Sequence, residues 1–427
     1  MFSQGGLSLE QAPPISVVMK FFITASTFGL LLGLYLLGNS SGLLPYNSYA
    51  YSVTVTHFLA LGVMASFMFG ALFQMLPVIA GVVIKMPTKN SMVVQLLLIL
   101  GVLSQLLAFN SSTSWLYLLS AILLGLGLLY GTTLMGKELL KVPDHSTSSK
   151  GMLFSLSSFV IAILLGLYLL LTLGGYLEGG IAFEAVKEAH YSFALFGWVT
   201  LLIISVSFQV VEMFYVTPKY PTLLREYLVI TLFTLLTFKL IALMSGLPTV
   251  GITLFIALLI IGYALITLHR LYKRKRPTSD ATVWFWRLGM GLLIISMAIM
   301  AVGTVTSLDQ GLQSISYLAF IGFALSIVFA MNYKIVPFLT WFHLSNQGYM
   351  EAPMMHDVIH PKRAKVHFYI HVTMLISWAI VILFNPPMVN ILASLLVMVS
   401  FGWLLYHLVG AVKKYNYTQE HTEKIEW

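Results

Sequence analysis

Two histidines stand in apolar stretches of related sequence. His57 opens "THFLALGVMASFMFGALFQMLPVIAG" (Thr56 to Gly81), and His190 opens "AHYSFALFGWVTLLIISVSFQVVEMF". A third stretch, "SYLAFIGFALSIVFAMNYKIVPFL", lacks the histidine and carries Tyr317. An imidazole in an apolar segment is the commonest axial ligand of haem iron, and it also suits copper. Its second ring nitrogen must also be satisfied, and for His57 either Thr54, Thr56 or a backbone carbonyl is within reach along the helix. The competing reading is an interfacial histidine bonded to a loop carbonyl. It applies with more force to His190, which begins its apolar run beside the charged "EAVKE".

A second group lies in "VHFYIHV". His367 and His371 are four residues apart and so share one helical face, a spacing that can clamp a metal or a haem edge. The competing reading is a pair at the headgroup level, preceded by His356 and His360 in "HDVIH". Lys239, in "LTFKLIALM", is expected to snorkel toward the surface. Glu212 and Arg287 fall near segment ends, where they either pair or face water, and "WFWR" (Trp284 to Arg287) reads as an aromatic belt. Polar and ionisable groups inside a bilayer cost free energy and usually face the interior, so each of these residues carries a functional hypothesis. The sequence has no Gly-rich phosphate loop ending in Lys-Ser or Lys-Thr, no HExxH and no serine nucleophile elbow.

The segments that hold these residues form a repeat. Aligned on "FQMLP", "FQVVE" and "YKIVP", Gln74 matches Gln209 and Lys334, and twelve residues upstream stand Gly62, Gly197 and Gly322. In the same frame His57 matches Ser192 and Tyr317, and His190 falls two residues earlier. Small residues at these places let a membrane helix approach its neighbour closely, or lie beside a flat cofactor. The copies are the second, sixth and tenth apolar segments, so the repeating unit is four helices. This predicts three four-helix arcs about a pseudo-threefold axis in one transmembrane domain, with the repeats centred on 54–83, 190–216 and 312–339.

Composition fixes the class. Of the 427 residues 59% are hydrophobic and only 9% charged, with a mean hydropathy of +0.91. A soluble domain is nearer half apolar and a quarter charged, so the chain is an all-α polytopic membrane protein. About twelve spans are expected, near 17–38, 54–83, 91–110, 115–136, 152–175, 190–216, 226–246, 249–270, 283–304, 312–339, 366–385 and 388–411. The absence of cysteine removes disulfides and thiolate metal sites. Basic residues cluster after alternate spans, at Lys85, Lys89, Lys137, Lys141, Lys150, Lys219, Arg225, "HRLYKRKR" and "HPKRAK". The other loops carry Lys187 beside Glu178, Glu184, Glu188 and Asp309. This places both termini in the cytoplasm of a prokaryotic inner membrane, assigns the net charge of +8 to topology and anionic lipid, and argues against nucleic-acid binding.

Twelve spans, a threefold four-helix repeat and histidines near the outer ends of spans two and six resemble the catalytic subunit of haem-copper oxidases and nitric oxide reductases. In span number the chain is also similar to the NnrS family of haem- and copper-containing membrane proteins. The resemblance implies a subunit I-like fold, a b-type haem with His57 as an axial ligand, copper at His190, and an electron-donor protein or quinol as partner. The chain departs from the oxidase pattern on span ten, which offers Tyr317, Asn332 and Lys334 with His343 only at its end. It departs again on span seven, where Lys239 replaces a His-His pair. A complete binuclear oxygen-reducing centre is therefore not written in the sequence, and the resemblance implies electron transfer or the handling of nitric oxide or oxygen by a divergent member. The alternative is a twelve-span secondary transporter without redox cofactor. A copper-handling role would lean on the 21 methionines, which are also ordinary packing residues in such helices.

Overall fold

The computed structural model describes residues 12–40, 49–180, 182–276 and 280–424. Among these residues there is no strand beyond one isolated bridge, Tyr349 with Lys424. Twelve helices are long and apolar enough to cross a bilayer. They are α1 (Ile15–Ser40), α2 (Tyr49–Ala80), α3 (Pro87–Ser111), α4 (Ser114–Leu139), α5 (Thr147–Leu173) and α6 (Ala182–Tyr215). The remaining six are α7 (Thr222–Met244), α8 (Val250–Tyr272), α9 (Ala281–Val305), α10 (Gln310–Asn346), α11 (Pro361–Phe384) and α12 (Pro387–His421). Each answers to one of the expected spans.

The ends differ from expectation where polar sequence continues a helix. α6 starts at Ala182, eight residues before His190, because "EAVKE" folds as its first turns. Glu184 sits in the first turn, where the helix dipole favours an anion, and pairs with Lys187 one turn on. Val186 and Ala189 give the same turns a buried face. His190 is therefore more than two turns inside the helix and does not open it. α10 runs on to Asn346, which takes in His343, and Pro337 is accommodated inside it. Starts are set by familiar chemistry. Pro87, Pro361 and Pro387 occupy the first positions of α3, α11 and α12, and Ser146 caps α5 by accepting from the Ser149 amide.

Two of the helices change pitch. Phe58–Ala65 in α2 and Phe193–Thr200 in α6 are π-helical. They lie 135 residues apart, the same offset that separates Gln74 from Gln209. The Thr200 hydroxyl donates to the Leu195 carbonyl five residues back, the reach of a π turn. The corresponding stretch of α10 is α-helical throughout.

The chain divides into two compact units whose boundaries cut across the four-span periodicity. One contains Ala71–Arg276 and Leu293–Asp309; the other contains Pro14–Gly70, Pro277–Leu292 and Gln310–Trp427. In the first unit, α5 presents a ridge of small residues, Ser158, Ala162 and Gly166, at four-residue spacing to α6. A Cβ on Gly197 would lie 2.7 Å from the Ser158 side chain, and one on Gly166 would lie 2.8 Å from the His190 ring. Phe159 stacks on Trp198 at 4.2 Å along the same seam. In the second unit α1 packs along α12. A Cβ on Gly29 would overlap the Phe401 ring at 2.1 Å, and one on Gly33 would lie 2.4 Å from Met398. This is the close approach that small residues permit between helices in lipid.

Candidate functional site

His57 sits at the last α-helical position before the π segment of α2. Its Nδ1 is 2.8 Å from the carbonyl of Val53. A carbonyl can only accept, so Nδ1 carries the proton and Nε2 keeps its lone pair. The Val53 carbonyl therefore fixes the tautomer. His190 repeats the arrangement from another source, with its Nδ1 2.9 Å from the carbonyl of Ala162 on α5. In both residues the carbonyl bond fixes the ring tautomer and orientation.

Around His57 the second unit gathers aromatic groups. Tyr35 packs on Tyr51 at 6.0 Å and on Phe58 at 5.8 Å, and Phe28 meets Phe58 edge-on. Tyr317 comes from α10, and its hydroxyl donates to Thr56 Oγ1 at 3.2 Å. Thus the third copy of the repeat meets the first at Thr56, the residue before His57.

The three repeat glycines are all helix contacts. A Cβ on Gly62 would meet Phe28 of α1 at 2.8 Å. One on Gly197 would meet Ser158 of α5, and one on Gly322 would meet Leu292 of α9 and Leu375 of α11. In each copy the glycine admits the preceding helix, and protein atoms fill the face where a flat cofactor was the other expectation.

His367 and His371 overturn the expectation of an interfacial pair: both are 0% exposed. His367 spends both ring nitrogens on hydroxyls, Nδ1 on Tyr333 of α10 at 3.0 Å and Nε2 on Ser400 of α12 at 2.9 Å. His371 Nε2 lies 2.9 Å from Ser326 Oγ. The Ser326 proton goes to the Gly322 carbonyl, so Nε2 donates to Ser326 and Nδ1 keeps its lone pair without a partner. Phe329 lies against both imidazoles, at 4.5 and 5.2 Å, and Phe285 flanks both. In this arrangement the pair pins α11 to α10 and α12 through polar bonds in an aromatic surround, bonds that water does not replace in lipid. Sequence spacing showed that the two histidines share a face. It carried no sign of the hydroxyl partners, which lie 33 to 45 residues away.

Other expectations are corrected in the same way. Lys239 is 4% exposed and paired with Glu188 of α6 at 2.9 Å. Glu212 accepts the Tyr220 amide proton at 2.8 Å, which fixes the short loop before α7. Burial of the Tyr220 phenol in that loop raises its pKa well above the ordinary value and keeps it neutral. Phe285 and Trp286 point inward with 0% and 1% exposure, so "WFWR" is not a belt, although Trp284 does receive Lys365 over its ring. Lys334, the repeat counterpart of Gln74, reaches Asp280 at the start of α9. Burial pushes the Asp280 carboxyl up. The Lys334 ammonium outweighs this, helped by hydrogen bonds from Lys334 and from Thr282, and the net pKa lies below the usual carboxylate value.

Among the described residues no group of three or more His, Asp or Glu side chains converges as a metal site. An ion held by protein alone asks for three or four such donors. A haem supplies four nitrogens itself and asks for one or two imidazoles. No such set of three or more donors forms at His57 or His190 among the described residues. No family model matches the sequence, and no curated protein matches it.

Proposed function

We propose that the protein is a membrane-integral haem protein in which the Nε2 of His57 is an axial ligand of a b-type haem, serving electron transfer or the handling of a small diatomic gas. The observation that carries this reading is the tautomer of His57. Its Nδ1 proton is committed to the Val53 carbonyl, which fixes the ring in a helix turn just before a π segment. π segments are frequent at functional sites, and this one recurs in register in α6, close to His190. His190, held by Ala162, is the second candidate ligand. The alternating basic loops support cytoplasmic termini in a prokaryotic plasma membrane, with lipid around the spans and a quinol or electron-donor protein as reductant.

The test is a reduced-minus-oxidised optical spectrum of detergent-purified protein with metal analysis, recorded for the wild type, His57→Ala and His371→Ala. The reading expects a b-type signal that His57→Ala removes or reshapes and His371→Ala leaves nearly intact. A second reading, a secondary transporter, draws support from the π breaks in α2 and α6 and from the Lys239–Glu188 pair inside the first unit. Colourless protein after expression with ample haem supply favours it and rejects the first.

A further inference from the structure

We infer that the second unit carries a proton path that enters beside Tyr333, passes through His367 and reaches His371 near the middle of the membrane; the inference needs no haem. His367 has a hydroxyl on each nitrogen, Tyr333 on Nδ1 at 3.0 Å and Ser400 on Nε2 at 2.9 Å. A neutral imidazole has one N–H and one lone pair, and a hydroxyl can either donate or accept. With the proton on Nδ1, the ring donates to Tyr333 and accepts from Ser400. With the proton on Nε2, both roles reverse and both bonds remain. The ring can therefore change tautomer or gain a proton without losing a partner. In the path, Tyr333 gives its hydroxyl proton to Nδ1 while Ser400 holds the Nε2 proton. The imidazolium passes one of its two protons to His371, and water returns a proton to Tyr333. Tyr333 is 8% exposed, whereas His367, His371, Ser326 and Ser400 are each 0% exposed, which makes the phenol the point of entry.

His371 supplies the acceptor. Its Nε2–H is bonded to Ser326, and its Nδ1 lone pair is buried without a partner. The ring stands one helical turn from His367, close enough to act on its charge, and the two imidazoles share Phe285 and Phe329 as neighbours. The step between them covers about 6 Å of helix rise, which rotation of the rings or one water closes. His371 lies about 15 Å along α11 from Pro361, half of a hydrocarbon core about 30 Å thick. Charge near the cluster is carried by Arg363 and Lys365 on α11, Lys334 paired with Asp280, Arg287 on α9 and His407 on α12. Among the described residues no carboxylate pairs with either ring, so a proton on His371 is passed on or returned rather than stored. Bonds that only pinned helices would be served by side chains that never ionise. Ionisable groups inside a bilayer are costly, and chains of them mark proton relays.

The experiment uses the full-length protein in phosphatidylcholine nanodiscs with isotope-labelled histidine. It reads hydrogen–deuterium exchange at the ring N–H groups of His367 and His371 and at the backbone amides of α11, each as protection relative to its intrinsic rate. In the wild type the ring sites are expected to be about 100-fold less protected than the amides of the same turns, the low end of what a positioned proton carrier contributes. Tyr333→Phe removes the entry and should raise ring protection by about the same factor while the amides stay unchanged. His367→Gln keeps a donor and an acceptor but cannot relay a proton, and it should have the same effect at His371. Helix pinning alone predicts the opposite sign, because a lost bond loosens the turn and lowers protection. Phe329→Leu, which leaves every hydroxyl in place, calibrates that response. Ring and amide protection that match in the wild type, or ring protection unchanged or lowered in Tyr333→Phe, would overturn the inference. The first comparison needs no variant, so a substitution that fails to fold does not shield the proton path from refutation. Neither result touches the haem reading, which the optical spectrum decides.

Discussion

The Lys239–Glu188 pair gives an asymmetric prediction. Lys239 is 4% exposed, whereas the Glu188 side chain is 33% exposed. Truncating Glu188 to alanine strands a nearly fully buried ammonium, and breaking a buried pair in this way costs about 3–5 kcal/mol. Replacing Lys239 by methionine keeps the volume and strands a carboxylate that already reaches solvent. That change loses about 1–2 kcal/mol, the scale of one hydrogen bond to a charged group. The double variant should cost close to Lys239→Met alone, so the coupling energy is about as large as the Glu188→Ala penalty. The assay is reversible unfolding in bicelles or mixed micelles, with insertion checked separately. If Lys239→Met proved as damaging as Glu188→Ala, or if the double variant summed the two losses, the coupling of the buried Lys239 to Glu188 would be refuted.

Three further outcomes are expected. The folded-state pKa of Asp280 lies below its unfolded value of about 3.9, so the Lys334 contact contributes fully above that pH and is lost as pH falls through the lower, folded value. Acid unfolding curves of Asp280→Asn should therefore lack that component below about pH 4 and match the wild-type shape above it. Gly29→Ala should destabilise by about 1–3 kcal/mol, because the new Cβ meets the Phe401 ring, whereas Gly262→Ala, with nothing within 4 Å, should be neutral or slightly stabilising; thermal unfolding of the pair decides. Ser326→Ala should cost about 1–3 kcal/mol by leaving the His371 Nε2–H unpaired in an aromatic surround, and His371→Phe on that background should recover part of the loss.

The sequence disclosed those features that depend on neighbours along the chain. Apolar runs located the twelve spans, and the distribution of residues such as Lys85, Lys89 and Lys137 suggested an orientation. A four-residue spacing put His367 and His371 on one face. What it could not disclose came from other helices. The hydroxyls that bury those imidazoles belong to Tyr333, Ser326 and Ser400, and the carboxylate that neutralises Lys239 belongs to a segment that reads as a solvated loop until it folds as the start of α6. The pitch change was also hidden. "FLALGVMA" and "FALFGWVT" adopt it, while "LAFIGFAL", with its glycine in the same place, does not. The tautomer of His57 was foreseeable in kind, since one of its nitrogens had to find a partner, but which of three acceptors it would take was not.

The two π segments also set a compass bearing. An α-helix turns about 100° per residue, and wider π turns advance less, so over eight residues the helix falls behind in phase. Side chains above such a segment then point in a direction that an uninterrupted helix of the same sequence would not give. Deleting one residue from Phe58–Ala65 would restore ordinary pitch and swing His57 around the axis of α2 relative to the rest of the span. α10 has no such lag, and its Tyr317 reaches Thr56 of α2 through the phenol.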